Sequence, residues 1–354
     1  MNDSSIKFFE TLLNTPGVSG YEEPVQQVVR DYASSFADTM TTDNHGNLIL
    51  CKNPDAEIRL MFAGHCDQIG LLVSNIDDNG FIYTQTVGGW DPQQLIGQNM
   101  TIWTDSGPVE GVIARKAIHL LEESERKKVV RTKELWIDIG AKDRAEVESL
   151  VRVGDSVTLR LGMTKLRNGL ITAPATDNRT GVWVAVEAMR LAAEMGTKIG
   201  VYAVSTVQEE IGLRGARTAA FGIDPHVGVA IDVTHATDCP KVDPNQNGNI
   251  KLGGGPVVVR GPNVNNKINA RLHELSSSGE LPIQVKALGR AAPNDSNALQ
   301  VSRAGVATGL VAIPNRYMHS SVEVISLEDI DSAAKLLAAF ACSIESADEF
   351  IPSL

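Results

Sequence analysis

The apolar positions along the chain fall into three zones of different period. Near the start, Ile6, Phe9, Leu12 and Leu13 recur at helical spacing, and Pro16-Gly17 stops the run. A second helix is expected over about residues 22–36, with Val25, Val28, Val29 and Tyr32 on one side. The polar turn Asp43-Asn44-His45-Gly46-Asn47 leads into a strand at 48–51. The compact apolar run IRLMFA at 58–63 predicts a strand buried on both faces. From about 69 to 161 the texture changes to short β-rich runs: LLVSNI, FIYTQTV, MTIWT, GVIA, LWIDIG and SVTLR. Turn chemistry such as Asp78-Asn79-Gly80 and Asp105-Ser106-Gly107 separates several of them, so this zone reads as a small, mostly β insertion. After about residue 168, strand and helix alternate: a helix at 181–195, buried strands at 199–207, 227–233 and 306–313, and an amphipathic helix at 329–344. That alternation predicts an α/β fold with a mostly parallel, helix-covered sheet. Gly253-Gly254-Gly255-Pro256 lacks the lysine and spacing of a phosphate loop and reads as a turn.

Composition narrows the class. A length of 354 residues suits two domains or one with an insertion. Hydrophobic residues at 43% against 21% charged argue for a globular chain. The formal charge of −11 repels phosphate backbones, so nucleic acid is not an expected partner. No apolar stretch approaches the roughly 18 residues of a membrane span, and the acidic start lacks the apolar core of a signal peptide. The four cysteines, Cys51, Cys66, Cys239 and Cys342, form no CxxC pair, which points to a reducing cytoplasm. Cys66 reads as a small side chain filling a buried strand end.

Ligands of open α/β sheets sit beyond the carboxyl ends of the strands. The predicted strands deliver there Gly64-His65-Cys66-Asp67, Gln208-Glu209-Glu210 and Ile231-Asp232-Val233-Thr234-His235, and the last is followed by Tyr317-Met318-His319-Ser320. Asp177 stands just before a helix. Alone, Asp177 would be a helix cap, each histidine a structural residue, and Glu209-Glu210 a solvated pair. Together at one sheet edge they are costly to bury unless cations neutralise them. A mixed imidazole and carboxylate set suits zinc, cobalt or manganese. Two ions about 3.5–4 Å apart can share one carboxylate and one water, which needs five ligands. Five candidates exist: His65, Asp177, Glu210, Asp232 and His319. Glu209 is then free to act as general base, and Asp67 is placed to accept the spare N–H of His65.

These residues carry a resemblance to a known family. The blocks AGHCDQIGLLV (63–73), GGWDPQQLIGQ (88–98), DNRTGV (177–182), VQEEIGLRGA (207–216), IDVTHATDCP (231–240), LGGGP (252–256) and RYMHSSVE (316–323) occur in order over nearly the whole chain. They resemble the co-catalytic zinc aminopeptidases of the glutamyl and tetrahedral aminopeptidase group. The resemblance implies a zinc-exopeptidase-like catalytic domain formed by 1–67 and 167–354, with a small barrel-like β domain at 68–166 that mediates dimer contacts. It implies that His65, Asp177 and Asp232 hold one metal and that Asp177, Glu210 and His319 hold the other, zinc first among the candidate ions. It also implies Glu209 as general base, Asp67 as the carboxylate behind His65, peptide substrates, and dimers that build a tetrahedral dodecamer. One segment departs from the pattern. Relatives carry a short Gly-Thr-Asp-Ala-type turn where this chain reads Gly289-Arg290-Ala291-Ala292-Pro293-Asn294-Asp295. Asp295 is expected to hold the corresponding place. Arg290 is either a surface ion-pair partner or a pocket residue favouring acidic substrates. His235 is weighed as a support of Asp232 against a structural role, His45 is expected to be solvated, and Trp90 and Trp103 are expected to pack.

Three functions are compatible with this site: removal of N-terminal residues from peptides, N-acyl amide hydrolysis with the same pair of ions, and a non-catalytic peptide-binding assembly. The first is the leading reading. An intact base and five intact ligands weigh against the third.

Overall fold

In the computed structural model, which describes residues 1–352, the chain first builds one side of a large sheet with β1 (Thr39–Thr42), β2 (Leu48–Lys52) and β3 (Arg59–His65). It then leaves that sheet and makes a closed barrel from β4 (Gly70–Ile76), β5 (Ile82–Val87), β6 (Asn99–Thr104), β7 (Gly107–Ala114), β8 (Trp136–Asp138) and β9 (Ser156–Leu159). The six β-rich runs of the sequence correspond to these six strands. Next, β10 (Thr164–Lys165) and β11 (Leu170–Thr172) begin a small sheet, and β12 (Gly200–Thr206), β13 (Val227–His235), β14 (Val257–Arg260), β15 (Gln284–Ala287) and β16 (Ala307–Asn315) complete the large one. β17 (Val324–Ser326) closes the small sheet.

The large sheet runs β1-β2-β12-β3-β13-β16-β14-β15. Its four central strands, β12, β3, β13 and β16, are mutually parallel, as strand–helix alternation requires. The flanks are antiparallel: β1 and β2 form a hairpin across the Asp43–Asn47 turn, and β14 pairs antiparallel with β16. Short segments of this kind carry too little periodicity to be read from sequence, and β1, β14 and β15 escaped notice for that reason.

The unbroken apolar run of β3 has a direct cause. Leu60 and Phe62 pack under the helices Asp3–Asn14, Thr176–Glu194 and Leu327–Cys342, while Met61 and Ala63 face the helices Arg214–Ile223 and Asp295–Gln300. Both faces are therefore dry, as alternate positions of a central strand demand.

Close backbone approach places the sheet edge that carries His65 and Asp232. A Cβ added at Gly64 would lie 2.3 Å from the carbonyl carbon of Gly181, and one at Gly181 would lie 2.5 Å from the Ile231 carbonyl oxygen. The two glycines let the first turn of helix Thr176–Glu194 settle between β3 and β13. Gly64→Ala is expected to lower stability by roughly 1–3 kcal/mol or more, since backbone rather than a flexible side chain must yield. A urea titration with an unchanged midpoint would contradict this.

Candidate active site

The predicted residues reach the site from five separate segments. His65 is the last residue of β3, Asp232 lies near the end of β13, and Glu209 and Glu210 follow β12. His319 sits in the loop after β16, in a left-handed backbone conformation with φ of 61°. Asp177 lies at the start of its helix with non-helical φ and ψ of −81° and 105°. It caps nothing. Ala175 occupies the cap position, so the cap expected of an isolated acid at this point is not what forms.

The Asp177 carboxylate divides its two oxygens. Oδ1 lies 3.1 Å from His65 Nε2, and Oδ2 lies 3.3 Å from His319 Nε2. Asp232 Oδ1 stands 3.9 Å from His65 Nε2, and Glu210 Oε1 stands 3.5 Å from His319 Nε2. Glu209 Oε2 is 3.8 Å from His65 Nε2. Two triads bring one ligand atom each within 4.8 Å of one another: His65, Asp177 and Glu210, and His65, Glu209 and Asp232. The structure thus brings together all five residues expected as ligands, with Glu209 among them.

Both imidazoles are oriented through their other nitrogen. His319 Nδ1 lies 2.8 Å from the Gly89 carbonyl, which belongs to the β5–β6 connection of the barrel. With Nδ1–H donating there, Nε2 is the nitrogen turned toward Asp177. His65 Nδ1 lies 3.1 Å from the Asp67 carbonyl oxygen and 3.4 Å from Asp67 Oδ1. The Asp67 carboxylate has further work: Oδ1 accepts from Glu209 N at 3.0 Å, and Oδ2 accepts from Glu210 N at 3.1 Å and from Ser19 Oγ at 2.6 Å. The expected His65 contact is thus shared with a grip on the Glu209-Glu210 backbone.

Burial makes this cluster electrostatically tense. Loss of solvent pushes Glu209 up to about 10, with the charges of Asp232 and Asp295 adding to it, and pushes Asp232 up to about 8 with Asp177 adding. Burial raises Glu210 as well. Burial opposes the charged form of Asp177, yet the His319 and His65 imidazoles outweigh it and hold the carboxyl below the usual range. The carboxylates of Asp177 and Glu210 beside it raise His319 to about 11. Burial works against a charged His65, but Glu209, Asp177 and Asp67 hold it well above the ordinary imidazole value. Protons alone are a poor solution to such crowding. Asp177 Oδ1 and Glu210 Oε1 are buried and receive no hydrogen bond, and oxygen and imidazole donors of this kind fit divalent cations.

Several residues in the site escaped the sequence reading. Glu323 is buried and accepts from Thr176 Oγ1 at 2.7 Å, Asp177 N at 3.0 Å and His319 N at 2.8 Å, joining the start of helix Thr176–Glu194 to the loop that carries His319. Its only sequence signal was its place at the end of the RYMHSSVE block. Asp295, which the sequence did single out in the divergent turn, is buried, accepts from Thr206 Oγ1 at 2.6 Å, and leaves Oδ1 without a donor. Lys286 had no signal at all. Its Nζ donates to Thr234 Oγ1 at 2.9 Å beside the site.

A cavity of about 380 Å³ opens next to the cluster. Val233, Val259, Leu288 and Leu310 line it, with Lys286 and Arg290 as its cations. Among the described residues Arg290 makes no ion pair, so the surface salt bridge weighed for it does not form. His235 also lines the cavity, where burial lowers its pKa. His45 is half-buried, with Nε2 buried and unpaired, and not solvated as expected. Trp90 and Trp103 pack in the barrel, donating to Gly70 O and Thr158 Oγ1.

A helix-covered sheet ending in clustered imidazoles and carboxylates, with a closed barrel inserted after its third strand, is the architecture of an exopeptidase that hydrolyses peptides from the amino end. The chain belongs to the M42 glutamyl aminopeptidase family, whose sequence profile matches residues 46–336. It is 37% identical over 335 residues to a lysyl aminopeptidase of Pyrococcus furiosus, covering 93% of this chain and 94% of the relative. Among solved structures, a TET aminopeptidase from a marine sediment archaeon of the Thaumarchaeota superposes with a TM-score of 0.92 at 32% identity, covering 97% of this chain and 98% of that one. The TET1 peptidase of Pyrococcus horikoshii, described as assembling into a tetrahedron or a large octahedral shell, matches with a TM-score of 0.86 at 30% identity over 96% of this chain and 100% of that one. No helix among the described residues is long and apolar enough to cross a membrane.

Proposed function

We propose that this aminopeptidase works with two divalent cations, zinc first among them. His65, Asp177 and Asp232 would hold one, Asp177, Glu210 and His319 the other. The observation that carries this reading is the split Asp177 carboxylate, one oxygen toward each imidazole. When bound, such a pair supplies an activated water and polarises the scissile carbonyl. The chain's own groups supply the proton transfers. Glu209, a tenth exposed at the cluster's edge, takes the proton of the attacking water and returns it to the leaving amine. Asp67 keeps Glu209 in place through its backbone N–H.

A metal-resupplied assay over aminoacyl and N-acetyl-aminoacyl chromogenic substrates tests this reading. Hydrolysis of the free-amine series alone, abolished by chelator and restored by zinc, cobalt or manganese, is the expected result. Cleavage confined to the acetylated series would install the deacylase reading. Two bound ions with no turnover on either series would leave a peptide-binding assembly.

The apolar cavity with cations at its wall supports a preference for acidic N-terminal side chains. Lys286, half-buried and unpaired with any carboxylate among the described residues, is the chief determinant. Lys286→Glu is expected to lower kcat/KM for glutamyl relative to lysyl p-nitroanilide by roughly 10–100-fold or more, since a buried like charge faces the substrate. An unchanged ratio would remove Lys286 from the pocket's chemistry.

The strands from Gly70 to Leu159 support 68–166 as the inserted domain. Its exposed apolar residues Ile118, Leu120 and Val129, with the assemblies described for the TET relatives, support self-association through dimers into a dodecamer. The four cysteines are all free, which supports a cytoplasmic setting.

A further inference from the structure

The segment that carries Glu209 and Glu210 is held in an unusual way. Four consecutive backbone N–H groups, from Val207 to Glu210, donate to side chains and not to a strand or helix. Val207 N donates to Asn47 Oδ1 at 3.0 Å, Gln208 N to Glu22 Oε1 at 3.1 Å, and Glu209 N and Glu210 N to Asp67 at 3.0 and 3.1 Å. Gln208 itself is left-handed, with φ of 55°. That region is uncommon for a residue with a Cβ, and it persists where surroundings impose it. Successive N–H groups in such a turn form a concave anion site. Here two buried carboxylates of the chain, Asp67 and Glu22, occupy it.

Glu22 comes to this place by its own route. It is 6% exposed and stands at the cap position of helix Glu23–Ala33, yet its carboxylate does not cap that helix. Oε1 accepts from Gly20 N at 2.8 Å and from Gln208 N. Three residues earlier, Ser19 donates to Asp67 Oδ2. The short stretch Ser19–Glu22 therefore grips the base-bearing turn at two points, once through Asp67 and once directly. A second carboxylate buried near Asp67 is a costly placement for a purely architectural role, and among the described residues Gln208 is the only one distant in sequence that donates to it.

We propose that Glu22 is a positioning residue of the aminopeptidase: by holding the Gln208 amide it sets the left-handed turn and with it the directions of the Glu209 and Glu210 side chains. The proposal rests on the reading of Glu209 as base. A displacement of about 1 Å at a catalytic group costs on the order of 10²-fold in rate, so loss of this one contact is expected to appear in kcat more than in KM.

The test uses the full-length, metal-loaded chain and three substitutions. Glu22→Ala removes the acceptor, Glu22→Asp keeps the charge but retracts it by one methylene, and Glu22→Gln keeps an oxygen at the same reach. Alanine and aspartate variants are expected to lose about 10–100-fold in kcat, with KM changed less than about threefold. Glutamine is expected to recover to within about threefold of wild type, because an amide oxygen accepts the same N–H. Hydrogen exchange supplies a readout independent of turnover: peptides spanning 207–213 should exchange faster in Glu22→Asp than in Glu22→Gln, with helix Asp3–Asn14 unchanged. Should Glu22→Ala fail to fold, the aspartate and glutamine pair carries the comparison alone. Wild-type kcat in Glu22→Asp, or equal losses in Glu22→Asp and Glu22→Gln, would overturn the proposal. Failure of the base assignment would show differently, as full turnover in Glu209→Gln with the exchange contrast at 207–213 still present.

Discussion

Glu209→Gln is expected to retain both metal ions and to lose kcat by roughly 10²–10⁴-fold, the range that a positioned general base contributes. Glutamine matches glutamate in shape, so the Asp67–Glu209 backbone contact and the packing beside His65 persist. What disappears is the ability to take a proton. The environment explains why this position suits the role. Burial, together with the charges of Asp232 and Asp295, favours the protonated form and pushes Glu209 up to about 10. Nearby cations would pull that value back toward the working pH, where a base is most effective. The measurement pairs steady-state kinetics with metal analysis of the same preparation. Turnover close to wild type would move the role elsewhere, and Asp295, with its unpartnered Oδ1, would be the next residue to substitute. Loss of one ion along with activity would make Glu209 a ligand, as its triad with His65 and Asp232 allows.

Asp177→Asn is expected to weaken both metal sites together and to abolish activity with them. In the wild type each oxygen faces a different imidazole. An asparagine would turn an N–H donor toward one of them and remove the negative charge from between two cations. The fold should survive, because Glu323 holds the backbone N–H at this position and not the side chain. Removing an outer partner of a metal ligand costs about 10–100-fold in affinity, and loss of a shared inner ligand should exceed that at both sites. Titration of the metal-free variant with a competing chelator reads the two affinities. Weakening confined to one site would end the bridging assignment.

Much of the large sheet was legible before any coordinates. The run 60–63 is apolar at every position because β3 is covered on both faces, and that pattern survives in one dimension. The six β-rich runs of the insertion could be counted for a similar reason, since turns such as Asp78-Asn79-Gly80 mark their ends. Closure of the six strands into a barrel could not be seen, because the pairing of β4 with β9 joins residues some eighty positions apart. The start of helix Thr176–Glu194 was read five residues late, because Asp177 and Asn178 break the helical pattern where the chain bends into the site.

The site divides along the same line. His65, Asp177, Glu209, Glu210, Asp232 and His319 could be listed from the strand ends, since the chemistry of a residue type is local and the end of a parallel strand is where ligands bind. Which oxygen meets which imidazole could not, and neither could the residues that aim them. Gly89 offers a carbonyl, Lys286 a single amine on a strand the pattern did not reveal, and Glu22 and Glu323 look like ordinary charged residues in sequence. Their roles arise from burial and from contacts across 186 positions between Glu22 and Gln208 or 146 between Asp177 and Glu323. The kinds of side chain, and the strands that end in them, are written in the local pattern of the chain. Their distances and orientations come from long-range packing, where the free energy of burying a charge depends on every neighbour the fold brings near.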